Sequence, residues 1–123
     1  MSKVKTIYLS LGSNQGNRLE YLQKAINLIG MRLGTVENIS ATYKTDSWGF
    51  MGDYFLNICV SLTSNFTPDL LIKEVSDIER IVGRIRPLHD EFASRVIDID
   101  ILLIDTEIIN THNLVVPHPK TAP

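Results

Sequence analysis

The pattern of apolar and polar residues predicts four β-strands, the first by alternation and the last as a strongly apolar run interrupted only by Asp98 and Asp100. The first is 5–11, in which every second residue from Ile7 onward is apolar, and the turn residues at 12–14 are expected to end it. The other three predicted strands are Val36–Lys44, Tyr54–Thr63 and Val96–Ile104.

Two segments between these strands carry apolar residues at helical spacing. The first covers 19–33 and is expected to stop at Gly34, a glycine in the C′ position. The second begins at 67–69 with a capping threonine, a proline at the first helical position and an acidic first turn. It is expected to end at Gly83.

The predicted order is strand, helix, strand, strand, helix, strand. This order is typical of an α+β ferredoxin-like sandwich, an antiparallel sheet with both helices packed on one face. Segment 84–94 has no apolar period and is predicted to be an exposed, mobile loop, while 107–116 is predicted to form a short strand or hairpin edge. The 123 residues, 44% of them hydrophobic, suit a single domain spanning 1–123.

The composition argues against several classes of protein. Charged residues make up 21% of the chain and the net charge is −2, so nothing in the total charge favours nucleic-acid binding. The single cysteine, Cys59, excludes an internal disulfide and is expected to be a buried, inert thiol. We see no signal peptide and no run of about 18 apolar residues. The prediction is a cytoplasmic protein with no nucleic-acid or membrane partner, monomeric, with a dimer as the alternative.

Asp98 and Asp100 are the strongest candidates for chemistry. Two positions apart on a strand, they point the same way, roughly 7 Å apart at the backbone. Hard oxygen ligands at this spacing suit one or two Mg²⁺ ions that also bind triphosphate oxygens. The alternative is an exposed strand face with two solvated acids. The apolar surroundings suggest a strand buried on both faces, where two like charges are costly without a cation, and this favours the metal site.

Three arginines flank the acidic pair in sequence. Guanidinium groups suit phosphate oxygens, so Arg84, Arg86 and Arg95 are candidate phosphate ligands, with ordinary solvated surface charge as the alternative. His118 lies in a proline-rich tail, where a lone histidine is usually on the surface. The chain has no P-loop, dinucleotide fingerprint or nucleophile elbow, so a phosphoryl-transfer enzyme here must hold triphosphate with arginines and metal.

An aromatic ring and an amide share one face of the third strand. Phe55 could stack on a flat heterocycle while Asn57 pairs with its edge. The alternative is that Phe55 belongs to the core and Asn57 to a strand bulge.

Six segments resemble, in the same order, the 6-hydroxymethyl-7,8-dihydropterin pyrophosphokinase family of folate biosynthesis. They are YLSLGSN (8–14), YKTD (43–46), FLN (55–57), IERIVGR (78–84), RVIDIDILL (95–103) and VPHP (116–119). The resemblance implies an ATP-dependent diphosphotransferase that moves pyrophosphate from ATP to the hydroxymethyl oxygen of the pterin and releases AMP.

The resemblance also implies roles for individual residues around ATP. Asp98 and Asp100 would ligate two Mg²⁺ ions that bridge the triphosphate, and Arg84 and Arg95 would act with them as catalytic residues. The nucleotide-binding set would be Glu79, Arg84, Arg86, Arg95, Ile101 and His118.

The pterin site implied by the resemblance comes from other parts of the chain. Its members would be Thr45, Ser47, Trp48, Phe55, Asn57 and Phe92. Phe92 would replace a family tryptophan as a second stacking ring, and Glu91 stands where the family usually has arginine. The C-terminal part, ending at Pro123, is expected to be short relative to the family. The alternative function is a catalytically incomplete ferredoxin-like module that binds a nucleotide or another ligand.

Overall fold

A five-stranded antiparallel sheet with two helices forms the body of the protein. The computed structural model describes residues 3–46, 54–83 and 96–119. The elements in these ranges are β1 (Lys5–Ser13), α1 (Arg18–Arg32), β2 (Thr35–Ile39), β3 (Tyr43–Thr45), β4 (Phe55–Ser64), α2 (Pro68–Gly83), β5 (Asp98–Ile104), β6 (Ile109–Thr111) and β7 (Leu114–Val116). The strand order is β2-β4-β1-β5, with β3 also paired to β4, and β6 and β7 form a separate hairpin. Every strand pair is antiparallel. The predicted ferredoxin-like sandwich is confirmed.

The hydrophobic core lies between the sheet and the two helices, which also contact each other. The central strand β1 contributes Ile7, Leu9 and Leu11, all fully buried. The buried helix residues are Tyr21, Leu22, Ala25 and Ile29 of α1 and Leu71, Val75, Ile78 and Val82 of α2. Because alternate strand residues face away from this core, the second face of the sheet is available for polar side chains. In the described ranges, neither helix is long and apolar enough to cross a bilayer.

Both helices begin at capping side chains. Thr67 caps α2 as predicted, because its Oγ1 accepts a hydrogen bond from the N–H of Leu70 at 3.3 Å. Asn17 caps α1 in the same way, accepting from the N–H of Glu20 at 3.2 Å. Helix α2 ends at Gly83, as predicted.

Gly34 follows the C-cap residue Leu33 and so occupies the predicted C′ position, but not in the left-handed conformation that is common there. Among the described glycines only Gly16 has a positive φ, so Gly34 is not in the left-handed conformation. A Cβ at Gly34 would instead overlap the carbonyl oxygen of Thr63 and lie 3.0 Å from its carbonyl carbon. Gly34 therefore allows the chain leaving α1 to pass directly against the end of β4.

The predicted strand Val36–Lys44 is two strands, β2 and β3, and the prediction of one strand was wrong. The interruption begins at Ser40, whose N–H donates to the carbonyl of Cys59 at 2.9 Å. The Ser40 hydroxyl also accepts from the N–H of Cys59 at 2.8 Å, so a side chain takes the place of a regular ladder bond. Both short strands remain paired with β4.

Strand β5 is buried on one face only, which corrects the expectation of burial on both. Ile99, Ile101 and Ile104 point into the core and are buried, whereas Asp98 and Asp100 are half-buried. The strand lies at the edge of the sheet, and its acidic residues are on the face away from the helices.

Candidate active site

One row of paired residues connects the predicted metal-binding and pterin-binding positions. It lies on the polar face of the sheet, the face that carries Ser10 and Gly12 and is opposite the helices. Gly12 is paired with Asp98 on one side and with Asn57 on the other. Paired residues project to the same face, so this carboxylate and this amide share a surface, about 10 Å apart across two strand spacings. The turn predicted at 12–14 is wrong in position, because β1 runs through Ser13.

The two aspartates share this polar face, as predicted. Asp100 pairs with Ser10 in the row next to the Asp98 pair, and its side chain is 24% exposed. Within the described ranges, no group of three or more His, Cys, Asp or Glu side chains is arranged to hold a metal ion. Two carboxylates suit Mg²⁺, which completes its coordination with waters and substrate phosphates. Half-burial argues against the alternative of two fully solvated acids.

Glu79 reaches from α2 to the main chain between the two aspartates. Its Oε2 accepts a hydrogen bond from the N–H of Ile99 at 2.7 Å. A carboxylate acceptor makes a stronger bond than a neutral one, and here it binds the outer edge of the sheet. Glu79 therefore fixes β5 at the point from which Asp98 and Asp100 project, a positioning role that the sequence did not indicate.

His118 is also held against β5. Its main-chain N–H donates to the carbonyl of Leu102 at 2.9 Å, which adds the segment after β7 to the strand edge. The His118 Nε2 lies 3.8 Å from Oδ1 of Asp100, a distance longer than a hydrogen bond. With its side chain 28% exposed, His118 is not an ordinary surface histidine.

A pocket of about 410 Å³ lies between α2, β5 and the β6–β7 hairpin. It brings together four residues predicted to bind the nucleotide or metal, namely Glu79, Asp100, Ile101 and His118. Its size is within the range of small-molecule sites. Sequence reasoning missed the other walls, which include Ser76 of α2 and Thr111–Val115 of the hairpin. The only sequence feature that points to these pocket walls is the hairpin predicted after the acidic strand.

Thr45, Phe55 and Asn57 come together across β3 and β4. Thr45 is paired with Phe55, and the Asn57 Nδ2 donates to Thr45 Oγ1 at 3.0 Å and to the carbonyl of Tyr43 at 3.2 Å. These bonds orient the Asn57 amide. A Cβ at Gly12 would lie 3.1 Å from the Asn57 Oδ1 and 3.5 Å from the Phe55 ring. The missing side chain of Gly12 therefore leaves space beside both residues.

The structural alternatives for Phe55 and Asn57 are not supported. Phe55 is half-buried and is not a member of the hydrophobic core cluster. The pairing of β1 with β4 runs without a register shift through Asn57, so this residue is not in a bulge of that pair. Because the sequence predicts a turn at 12–14, it does not identify Gly12 as a site residue, although a glycine inside a strand often marks a close approach.

Six predicted site residues lie outside the described residues. They are Ser47 and Trp48 of the predicted pterin site, and Arg84, Arg86, Phe92 and Arg95 of segment 84–95. The predicted loop 84–94 lies outside them as well.

The fold, the paired carboxylates and the adjacent pocket are together typical of an ATP-dependent transferase without a glycine-rich phosphate loop. The family model for 7,8-dihydro-6-hydroxymethylpterin-pyrophosphokinase matches residues 8–123. The chain belongs to this family.

Similar proteins carry the same activity in their names. A 2-amino-4-hydroxy-6-hydroxymethyldihydropteridine pyrophosphokinase of Aquifex aeolicus is 40% identical over 115 residues, covering 93% of this chain and 70% of the relative. The Bacillus subtilis protein of that name is 37% identical over 115 residues, covering 92% of this chain and 68% of the relative. These similarities confirm the predicted function, pyrophosphate transfer from ATP to the hydroxymethyldihydropterin in folate biosynthesis.

Solved structures agree on the fold. The crystal structure of wild-type Plasmodium falciparum HPPK-DHPS has a TM-score of 0.65 over 85% of this chain, at 17% identity. The wild-type protein with STZ-DHP has a TM-score of 0.68 over 88% of this chain. This chain spans only 30% and 29% of those chains, and at such low identity the likeness shows the fold alone.

Proposed function

We propose that the polar face holds ATP and the pterin on opposite sides of Gly12. Asp98 and Asp100 would hold the magnesium and triphosphate, while Thr45, Phe55 and Asn57 would hold the pterin. The observation that carries this assignment is the row Asp98–Gly12–Asn57 across three adjacent strands.

We propose that Asp98 and Asp100 bind two Mg²⁺ ions together with the triphosphate. Two half-buried carboxylates, without a third acidic ligand among the described residues, fit a site that shares its metal with substrate oxygens. When bound, magnesium supplies positive charge that stabilises the charge on the transferring phosphates.

The nucleotide base is assigned to the pocket between α2 and the hairpin. The pocket begins at Asp100 and extends along Ile101 to the β6–β7 hairpin, so ATP can span it with its phosphates toward the carboxylates. His118 lies between these two regions and is positioned to contact the phosphates. We propose that Arg84, Arg86 and Arg95 supply further positive charge to the triphosphate.

The proposed reaction is displacement at the β-phosphorus of ATP. The hydroxymethyl oxygen of the pterin forms a bond to that phosphorus, the bond to the α-phosphate oxygen breaks, and AMP leaves. The hydroxyl proton passes to solvent water, and Asp98, which shares its row with Asn57, is the carboxylate nearer the attacking hydroxyl in this arrangement. The work of the protein is to align the attacking oxygen and to balance charge.

For the pterin, Phe55 supplies a ring to stack on and Asn57 an oriented amide to pair with the heterocycle edge. Ser47, Trp48 and Phe92 are proposed to complete this site. We also propose a cytoplasmic, monomeric enzyme. The single cysteine suits a reducing compartment, and light scattering on the purified protein would test the monomer.

The deciding assay measures AMP release from Mg-ATP with and without 6-hydroxymethyl-7,8-dihydropterin. Pterin-dependent AMP release supports the proposal. Binding of Mg-ATP by calorimetry with no AMP formed would instead support the incomplete binding module.

Replacing Phe55 with alanine is expected to weaken pterin binding roughly tenfold while ATP affinity changes less than about twofold, because in the proposed site the ring stacks on the pterin and does not contact ATP. Calorimetric titration with each ligand measures the two effects. Tyr8→Ala is the matched control, since Tyr8 is 44% exposed on the same face but four residues from Gly12 along β1. An equal loss of both affinities in Phe55→Ala would contradict the assignment.

Replacing Gly12 with alanine is expected to raise the KM for pterin about tenfold, with little change in the melting temperature. The added Cβ would stand 3.1 Å from Asn57 Oδ1, so the oriented amide must move by a few tenths of an ångström. Steady-state kinetics with each substrate varied in turn would measure this. An unchanged KM for pterin would show that the space beside Gly12 is not used.

A further inference from the structure

Two cationic side chains contact Tyr54, the residue just before β4. The Arg18 Nε–H donates to the main-chain carbonyl of Tyr54 at 3.0 Å, and the guanidinium carbon lies 4.5 Å from the centre of the Tyr54 ring. The Lys44 ammonium lies 4.4 Å from the centre of the same ring. Helix α1, strand β3 and the start of β4 therefore meet at one residue. We call Arg18, Lys44 and Tyr54 the Tyr54 cluster.

The cluster lies behind the proposed pterin residues rather than among them. Thr45 is paired with Phe55, and Lys44 with Leu56. Strand alternation places Lys44 and Leu56 on the helix side of the sheet, where Leu56 packs against the core. Contact of Tyr54 with Arg18 and Lys44 places it on that side too. The cluster therefore supports the start of β4 from the face of the sheet opposite the Phe55 side chain.

Helix stability does not account for the position of Arg18. It is the first residue of α1, where the helix dipole disfavours positive charge. Glu20 in the first turn and Arg32 in the last turn are placed as the dipole favours. An arginine can also do what a lysine cannot here, because its planar guanidinium stacks on a ring while one N–H bonds the main chain.

We propose that Arg18 is a positioning residue for the pterin site. It ties the start of α1 to the main chain at Tyr54. This bond fixes the first residues of β4, from Phe55 to Asn57. Lys44 supports the same ring from the neighbouring strand. This inference rests on the proposed placement of the pterin at Phe55 and Asn57.

The test compares Arg18→Gln with Lys24→Gln. Each variant removes one positive charge from α1, but the ion pair that Lys24 forms is with the solvent-side Glu20 of its own helix, at 3.4 Å, and the Lys24 side chain is 41% exposed. In Arg18→Gln we expect the KM for pterin to rise about five- to tenfold, with kcat and the KM for ATP within about twofold of wild type. Lys24→Gln is expected to match the wild type.

Arg18→Lys and Tyr54→Leu separate the two contacts of the cluster. Arg18→Lys keeps the charge but loses the oriented N–H, and is expected to recover at most part of the pterin affinity. Adding Tyr54→Leu to Arg18→Gln is expected to cost less than the sum of the single changes, because both act on one contact.

Several outcomes would overturn the inference. These are an unchanged KM for pterin in Arg18→Gln, an equal rise in both KM values, or the same rise in Lys24→Gln. Failure of the wild type to release AMP would instead count against the proposed function. Hydrogen exchange at the amides of Phe55–Asn57 tests the cluster in that case as well. Arg18→Gln should accelerate exchange there relative to Lys24→Gln, and equal rates would overturn the inference.

Discussion

Asp98→Asn and Asp100→Asn are each expected to lower kcat for AMP release by roughly 10³-fold, a loss of about 4 kcal/mol of transition-state stabilisation. Asparagine keeps the size of the side chain but removes the negative charge that we propose holds magnesium against the triphosphate. Since the two carboxylates lie in neighbouring rows of the polar face, loss of either should impair the same site. Quenched-flow or steady-state measurement of AMP at saturating Mg-ATP would report the change.

The same substitutions should leave the fold intact. Removing one of two nearby like charges relieves repulsion in the metal-free protein, so the melting temperature should stay the same or rise. Asp69→Asn is the control, because Asp69 is an exposed acid in the first turn of α2, far from the polar face. A rate near that of the wild type in either Asp98→Asn or Asp100→Asn, or an equal loss in Asp69→Asn, would contradict the metal assignment.

Gly34→Ala is expected to destabilise the protein by about 3 kcal/mol or more, lowering the melting temperature by about 10 °C. The new Cβ would overlap the carbonyl oxygen of Thr63, which is main chain of the paired strand β4 and has little freedom to move. Relief requires a shift of the α1–β2 connection away from the sheet. Thermal and urea unfolding would measure the effect.

For Gly30→Ala, within α1, we expect the opposite change in stability. A Cβ there would make an ordinary contact of 3.7 Å with Val36, and Gly30 lies within α1. The substitution should therefore stabilise the protein by about 0.5–1 kcal/mol, through the better helix propensity of alanine. Loss of stability at both positions would show that crowding by Thr63 is not what distinguishes Gly34.

The architecture could be predicted from the sequence because its signals are local. Alternation from Ile7 to Leu11, the cap at Thr67 and the helical stripes each depend on neighbouring residues, and their order favours one topology. The errors concern contacts between distant segments. The sequence around Ser40 does not show that its hydroxyl bonds the main chain of β4, nor that Gly34 passes against Thr63.

In the candidate site too, local sequence patterns predict some residues, whereas others depend on contacts between distant segments. Spacing alone predicts that Asp98 and Asp100 share one face of a strand, and that Phe55 and Asn57 share one face of another, and the strand pairing agrees with both. Their roles in binding stay predictions. Sequence spacing does not identify Gly12, because its role depends on the strands that lie on either side of β1 in the sheet. The hairpin walls of the pocket and the bond from Glu79 to Ile99 likewise depend on tertiary packing.

The position of Gly12 in the central strand affects which substrates the enzyme can use as acceptors of pyrophosphate. In the proposed arrangement, Asp98 and Asn57 are separated by two steps of the hydrogen-bonded ladder, so the sheet fixes the distance between the donor and acceptor sites. Unlike a gap between flexible segments, a ladder step does not stretch to fit a longer substrate. Side-chain changes at the pterin edge can therefore alter which heterocycle is accepted. In the same arrangement, the backbone of the sheet sets how far the hydroxyl of the acceptor, one carbon from its ring, must reach.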